Sequence, residues 1–209
     1  SIVGAGRNSC VLHYTENNEK LKNGDLLLID AGAELENYAS DITRTFPVNG
    51  KFTRTQKIVY EIVLEAQLAA ISRVKPGNRW NEPHDAAVEV ITQGLLDIGI
   101  LKGSLPKLIQ TEAYRSYYMH KTGHWLGMDV HDVGDYKISD QWRGFEPGMV
   151  TTIEPGLYFS GSIKGLPKKW HNIGIRIEDD VLVTTRGCEV LSGAPKTVRE
   201  IEDVMRAAH

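Results

Sequence analysis

Three histidines, His120, His124 and His131, fall within twelve residues in a glycine-rich stretch, in a chain that has only seven. A single histidine there reads as a satisfied structural residue. Three in this context point to a site, because imidazole donates, accepts and ligates near neutral pH. Carboxylates stand at comparable places. Asp30 closes a short aliphatic run, Leu26-Leu27-Leu28-Ile29, where burying an unpaired charge is costly. Asp41 follows 11 residues later, within an alternating segment that sets Asp41, Thr43 and Thr45 on one face and Ile42, Arg44 and Phe46 on the other. Glu154 ends a β-type run just before Pro155-Gly156. Residues 174–180 alternate too, so Arg176, Glu178 and Asp180 share a side opposite Ile175, Ile177 and Val181.

A hairpin-length connection brings Asp30 and Asp41 side by side. Two adjacent carboxylates repel, and that arrangement asks for a cation. The plainer alternative is that Asp30 caps a turn and Asp41 pairs with Arg44. Four carboxylates and one imidazole suffice for two divalent ions, with Asp41 and Glu178 as candidates to bridge them. Oxygen-dominated ligation with one histidine suits Mn²⁺ better than a thiolate-type zinc site. Paired ions activate water and polarise a carbonyl, so the expected chemistry is hydrolysis.

The elements that must position these groups follow from patterning. At 209 residues the chain is one domain or slightly more. A net charge of -3 argues against nucleic-acid or polybasic membrane binding, and no apolar run reaches the ~18 residues of a membrane span. Residues 25–31 read as a strand and 36–46 as its partner, ended by Pro47 and Asn49-Gly50. Thr53 and Gln56 have capping-box spacing for a helix with an apolar stripe of Ile58, Ile62, Leu64, Ala66 and Ala69, stopped by Pro76-Gly77. A second helix is predicted from about Asn81 to Ile98, with Val88, Ile91, Leu95 and Leu96 inward and Gly99 as its cap. A short helix near Leu105–Thr111 follows. Residues 149–154 and 174–184 read as strands, with Gly-rich loops at 132–148 and 155–173. Strands, then helices, then strands predict an α+β fold with helices outside a curved, mostly antiparallel sheet. Cys10 and Cys188 lie far apart and outside any C-x-x-C pair, which reads as two reduced thiols and a cytoplasmic protein. There is no third glycine after Gly4-Ala5-Gly6, no G-x-S-x-G and no H-E-x-x-H.

These residues resemble a known family. Asp30, Asp41, His124, Glu154 and Glu178 look like the five-ligand set of the pita-bread metallopeptidases. Four segments are similar to its proline-specific branch, aminopeptidase P and prolidase: Asp41-Ile42-Thr43-Arg44-Thr45-Phe46-Pro47, His120-x-x-x-His124-x-x-Gly127-x-x-x-His131-Asp132, Glu154-Pro155-Gly156-x-Tyr158, and Gly174-Ile175-Arg176-Ile177-Glu178-Asp179. The likeness runs from His13 to a last helix near Val198–Ala208, and the Trp125 context and the run 45–53 look closest to the aminopeptidase P of bacteria.

The resemblance implies the pita-bread fold with pseudo-twofold halves, and two Mn²⁺ with a bridging hydroxide as nucleophile. Asp30 would bind one metal, Asp41 and Glu178 would bridge, and His124 and Glu154 would complete the second. Glu154 would also handle the nucleophile's proton. His120 and His131 would hydrogen-bond the substrate and stabilise the oxyanion. His13 matches the histidine that lines the proline pocket, with Val130 nearby, and Arg176 and Tyr158 match positions at the site. The implied partners are proline-containing peptides, and the implied full-length form is a dimer or tetramer. Release of an N-terminal residue from X-Pro peptides is the leading expectation, with prolidase next. A non-catalytic scaffold is disfavoured because all five candidate ligands are present, and methionine aminopeptidase fits the 120–131 segment less well. Such proteins carry an N-terminal domain and opening helices that have no match here, so residues 1–209 are expected to be a catalytic domain lacking both.

Overall fold

The computed structural model describes residues 1–207. In chain order its elements are β1 (Ile2–Ala5), β2 (Leu26–Ala31), β3 (Glu34–Leu35), β4 (Tyr38–Ala39), β5 (Ile42–Pro47), α1 (Arg54–Ile71), α2 (Glu82–Asp97), α3 (Leu105–Gln110), β6 (Lys137–Ile138), β7 (Gln141–Trp142), β8 (Val150–Ile153), β9 (Gly156–Phe159), β10 (Ile173–Arg176), β11 (Asp179–Val183), β12 (Cys188–Val190) and α4 (Val198–Ala207). The expected last helix is α4, and its Ala208 lies outside the described residues.

Two three-stranded antiparallel sheets, ordered β1-β2-β5 and β12-β11-β8, are accompanied by the antiparallel pair β9-β10. All helices but the last lie between the two sheets in sequence, and α1 packs on α2 and on β8, β9 and β10. The α+β expectation therefore holds.

Two expected strands divide. Residues 36–46 split into β4, which pairs with β3, and β5, which alone pairs with β2. Residues 174–184 break between β10 and β11, because the chain changes sheets: β10 pairs with β9, whereas β11 pairs with β8 and β12. The partner segment breaks opposite it, between β8 and β9, at Glu154-Pro155. Arg176 is opposite Gly156 and Asp179 is opposite Ile153, so Glu154-Pro155 faces Ile177-Glu178 across an irregular step. Pro155 has no N–H to continue the ladder. The freed Glu178 N–H instead donates to the Thr43 carbonyl of β5 at 3.0 Å, which ties the two halves together. Both glutamates thus stand where regular pairing lapses.

Helix α1 begins with the predicted capping box, Gln56 N–H on Thr53 Oγ1 and Thr53 N–H on Gln56 Oε1. Its deeply buried face is Val59, Tyr60, Val63, Ala66, Gln67 and Ala70, of which the predicted stripe included only Ala66. Ile58, Ile62, Leu64 and Ala69 are half-buried on the flank, and Ile62 crowds Gly94 of α2. Tyr60 and Gln67 turn inward because their polar tips find partners, the Lys196 carbonyl and the Asp179 carboxylate. In α2, Val88, Ile91 and Leu95 are buried as expected and Leu96 is half-buried, and Gly99 beyond it has φ +74°. The two predicted loops contain strands. The β6-β7 hairpin lies in 132–148, turning through Ser139 and Asp140 at positive φ, and the fully buried β9 lies in 155–173. Cys10 and Cys188 are free thiols. Among the described residues, no helix is long and apolar enough to cross a membrane.

Candidate metal centre

Asp30 sits near the end of β2, opposite Thr43 of β5, and Asp41 immediately precedes β5. The hairpin between them closes tightly at Gly32, where a Cβ would stand 1.7 Å from the Ser40 carbonyl oxygen. Their carboxylate oxygens lie within 4.8 Å of each other. The plainer alternative for Asp41 does not hold: Arg44 pairs with Asp179 at 2.6 Å.

His124 is placed by a strand-like bridge of its neighbour Trp125 to Thr151, and its Nδ1 lies 2.9 Å from the Trp125 carbonyl. That contact turns Nε2 toward Asp41 Oδ2 at 3.5 Å and Glu154 Oε1 at 3.7 Å. The ligand atoms form three overlapping groups, each with its atoms within 4.8 Å of one another: Asp30, Asp41 and Glu178; His124, Glu154 and Glu178; and Asp41, His124 and His131. All five predicted ligands come together from five separate segments. Asp30, Asp41, His124, Glu154 and Glu178 line one cleft of about 270 Å³ with His13, His120, His131 and Arg176.

The remaining predicted residues fall in different places. His13 and His131 also line an adjoining cleft of about 540 Å³, and Val130 lines only that one. The His131 ring lies 4.0 Å from that of His124. Tyr158 is buried at 1% exposure and meets the cleft through His120, whose Nε2 lies 2.8 Å from the Tyr158 hydroxyl, and through Arg176. His120 Nδ1 is 2.7 Å from the Lys121 carbonyl, so both ring nitrogens are already engaged. A hydrogen bond from His120 to a substrate requires exchange of one of these. Arg176 donates to Asp30 Oδ2 at 2.6 Å and to the Tyr158 hydroxyl at 3.2 Å.

Burial and mutual repulsion govern the site's protonation. Burial pushes Glu154 up to about 7 against the pull of Arg176 and His124, and the carboxylates of Asp41 and Asp30 add to the rise. Burial, with Glu154, Asp41 and Asp30 as neighbours, drives Glu178 well above the carboxylate range. Asp30 is raised by burial despite Arg176. Asp41 is also buried, but the His124 hydrogen bond and the neighbouring Asp30 hold it below its ordinary value, so the two carboxyl groups titrate as a coupled pair. Burial lowers His120 to about 4, which leaves it neutral at pH 7. His124 is raised, the Asp41 hydrogen bond and the Trp125 carbonyl outweighing burial. A cluster that must take up protons to relieve its own repulsion, and whose donors are oxygens plus one imidazole, fits divalent cations.

The sequence reading passed over two supports. Thr43 Oγ1 donates to Glu178 Oε2 at 2.6 Å, and Asp180 Oδ2 accepts the Asp41 N–H at 3.2 Å. The alternation of residues 41–45 and 174–180 already placed Thr43 with Asp41, and Asp180 with Glu178.

Antiparallel sheets that gather four carboxylates and an imidazole, with helices packed outside, match the arrangement expected of the pita-bread fold. The profile of metallopeptidase family M24 matches residues 1–185, and the chain belongs to that family. It is 52% identical over 206 residues to the Xaa-Pro aminopeptidase of Haemophilus influenzae, covering 98% of this chain and 47% of that protein. It is 49% identical over 209 residues to that of Escherichia coli, covering 100% and 47%. The structure of Pseudomonas aeruginosa aminopeptidase PepP superposes with a TM-score of 0.98 at 59% identity, over 99% of this chain and 47% of that one. Zinc-substituted E. coli aminopeptidase P in complex with product gives 0.96 at 49% identity, over 100% and 47%. The chain spans about half the length of the curated relatives it matches.

Proposed function

We propose that residues 1–209 form the catalytic domain of an Xaa-Pro aminopeptidase, which hydrolyses the bond between an N-terminal residue and a following proline. The observation that carries this reading is the convergence of Asp30, Asp41, His124, Glu154 and Glu178, with overlapping ligand groups, in one cleft. The names and complexes of the similar proteins support it. These five residues would hold two divalent ions, Mn²⁺ suiting an oxygen-rich set. When bound, such ions supply an activated water and a polarised carbonyl. The two free thiols support a reducing, cytoplasmic setting.

The chain's own residues do the rest. Glu154 lines the cleft with its Oε1 3.7 Å from His124 Nε2, where its carboxylate is placed to take up and return a proton. It takes the proton of the attacking water and delivers it to the departing proline nitrogen. His131, at the junction of the two clefts, donates to the oxygen of the scissile carbonyl as charge develops there. The Arg176–Tyr158–His120 chain holds the His120 ring, neutral, against the cleft. An X-Pro amide offers no N–H, so recognition falls to the pyrrolidine ring itself. His13 and His131, with Val130 beyond them, wall the space that such a ring fills.

The test gives the Mn²⁺-loaded complete protein Gly-Pro and a longer X-Pro-Y peptide, with products read by mass spectrometry. Loss of one N-terminal residue from the longer peptide is the expected result. Cleavage of the dipeptide alone indicates prolidase, and cleavage of neither removes the proposal.

His13→Ala is expected to lower the kcat/KM preference for X-Pro over X-Ala peptides by about tenfold, the scale on which small apolar contacts discriminate. Metal content should stay unchanged, and an unaltered preference takes His13 out of the pocket. Metal affinity is expected to climb with pH through about 7. Glu154, Glu178 and Asp30 are raised, so the metal-free site holds protons at neutral pH that ligation must expel. Calorimetry in buffers of different ionisation enthalpy should therefore show proton release at pH 6–7 that fades above it. Proton-neutral, pH-independent uptake contradicts this assignment.

A further inference from the structure

Thr43 is fully buried, the second residue of β5, and lines neither cleft. Its hydroxyl makes two hydrogen bonds. Oγ1 lies 2.6 Å from Glu178 Oε2 and 3.2 Å from Arg176 Nε. The direction of both is fixed by chemistry. Arginine Nε–H can only donate, so Oγ1 accepts there, and the single hydroxyl proton is left for Glu178. The threonine backbone repeats the tie, since its carbonyl accepts the Glu178 N–H at 3.0 Å and an Arg44 guanidinium N–H at 2.9 Å.

Glu178 is the one carboxylate common to the group with Asp30 and Asp41 and the group with His124 and Glu154. It stands in the irregular step between β10 and β11, where no ladder orients it. The last torsion of a glutamate side chain is broad and close to two-fold, so nothing intrinsic selects the carboxylate plane. A hydroxyl proton held at 2.6 Å does select it. The hydroxyl is itself fixed by an arginine whose other arm holds Asp30 at 2.6 Å.

We propose that Thr43 is a positioning residue for the metal centre: its hydroxyl sets the plane of the Glu178 carboxylate so that one side chain serves both ligand groups. This rests on the metal-centre reading above. Removal of the hydroxyl leaves the backbone ties intact and frees the carboxylate plane. Outer-shell hydrogen bonds of this kind are worth roughly 10–100-fold in metal affinity.

The test is calorimetric titration of the metal-free complete protein with Mn²⁺, alongside the electron paramagnetic resonance spectrum of the loaded form, which reports coupling between two neighbouring ions. Thr43→Val keeps the β-branched shape and suits a strand. It is expected to weaken Mn²⁺ uptake by roughly 10–100-fold and to diminish the coupled spectrum. Thr43→Ser restores the hydroxyl and is expected to remain within about threefold of the parent, well under that range. Should the valine variant not fold, Thr43→Ala against Thr43→Ser isolates the hydroxyl at similar small volume, with the same expected gap. If the hydroxyl-bearing and hydroxyl-free variants lose affinity equally, or both keep it, Thr43 has a packing role only and the proposal fails. If the parent itself takes up no Mn²⁺, the metal-centre reading fails first, and the parent titration reveals this before any variant is compared.

Discussion

Glu154→Gln is expected to lower turnover of an X-Pro peptide by about 10²–10⁴-fold or more at saturating metal, with the fold intact. The substitution is isosteric, and it exchanges a carboxyl group for an amide where burial and the carboxylates of Asp41 and Asp30 already favour a neutral group. The metal-free variant should consequently melt no lower than its parent. Its loss is chemical. An amide neither takes a proton from water nor returns one to the proline nitrogen, and it is a poorer ligand beside His124, 3.7 Å from Oε1. Steady-state kinetics together with a melting curve separate the two effects. A kcat within a few-fold of the parent's removes Glu154 from its assigned role.

Asp179→Ala is expected to destabilise the protein by about 3–5 kcal/mol, the cost of stripping one partner from a buried ion pair. Asp179 is 0% exposed. Its Oδ1 accepts from Arg44 at 2.6 Å, and its Oδ2 accepts from Lys196 Nζ and from Gln67 Nε2 at 2.8 Å. Truncation leaves two cations without a counter-charge and opens a cavity under α1. The damage should spread to the end of the chain, because Lys196 precedes α4 and its carbonyl holds the Tyr60 hydroxyl. Arg44 keeps its bonds to the Thr43, Glu178 and Ala194 carbonyls, so the core should still form. Urea denaturation followed by circular dichroism measures the change, and a loss below about 1 kcal/mol shows that those carbonyls suffice to hold the guanidinium.

Much of this site was legible in the amino-acid order because its ligands sit at local signals. Asp30 ends an aliphatic run, Glu154 precedes Pro155-Gly156, and His124 lies among glycines. Alternation put Thr43 with Asp41, and Asp180 with Glu178. The hidden parts depend on partners far away in the chain. Nothing near Glu178 marks the switch from β10 to β11, which is decided by pairing with β8 and β9 and by the Thr43 carbonyl. The inward face of α1 includes Tyr60 and Gln67, polar-tipped residues whose burial makes sense only once Lys196 and Asp179 are beneath them. Strand β9 was masked by the glycines and prolines around it, although Leu157 and Phe159 are fully buried. Helix existence was predictable from caps and period, whereas the partners that chose each buried face were not.

The most direct measurement is an anomalous difference map from crystals of the complete protein grown with Mn²⁺. Two peaks about 3.5–4 Å apart, enclosed by Asp30, Asp41, His124, Glu154 and Glu178, are the predicted result. No peak among these five side chains at saturating Mn²⁺, or ions bound only elsewhere, contradicts the account at its centre.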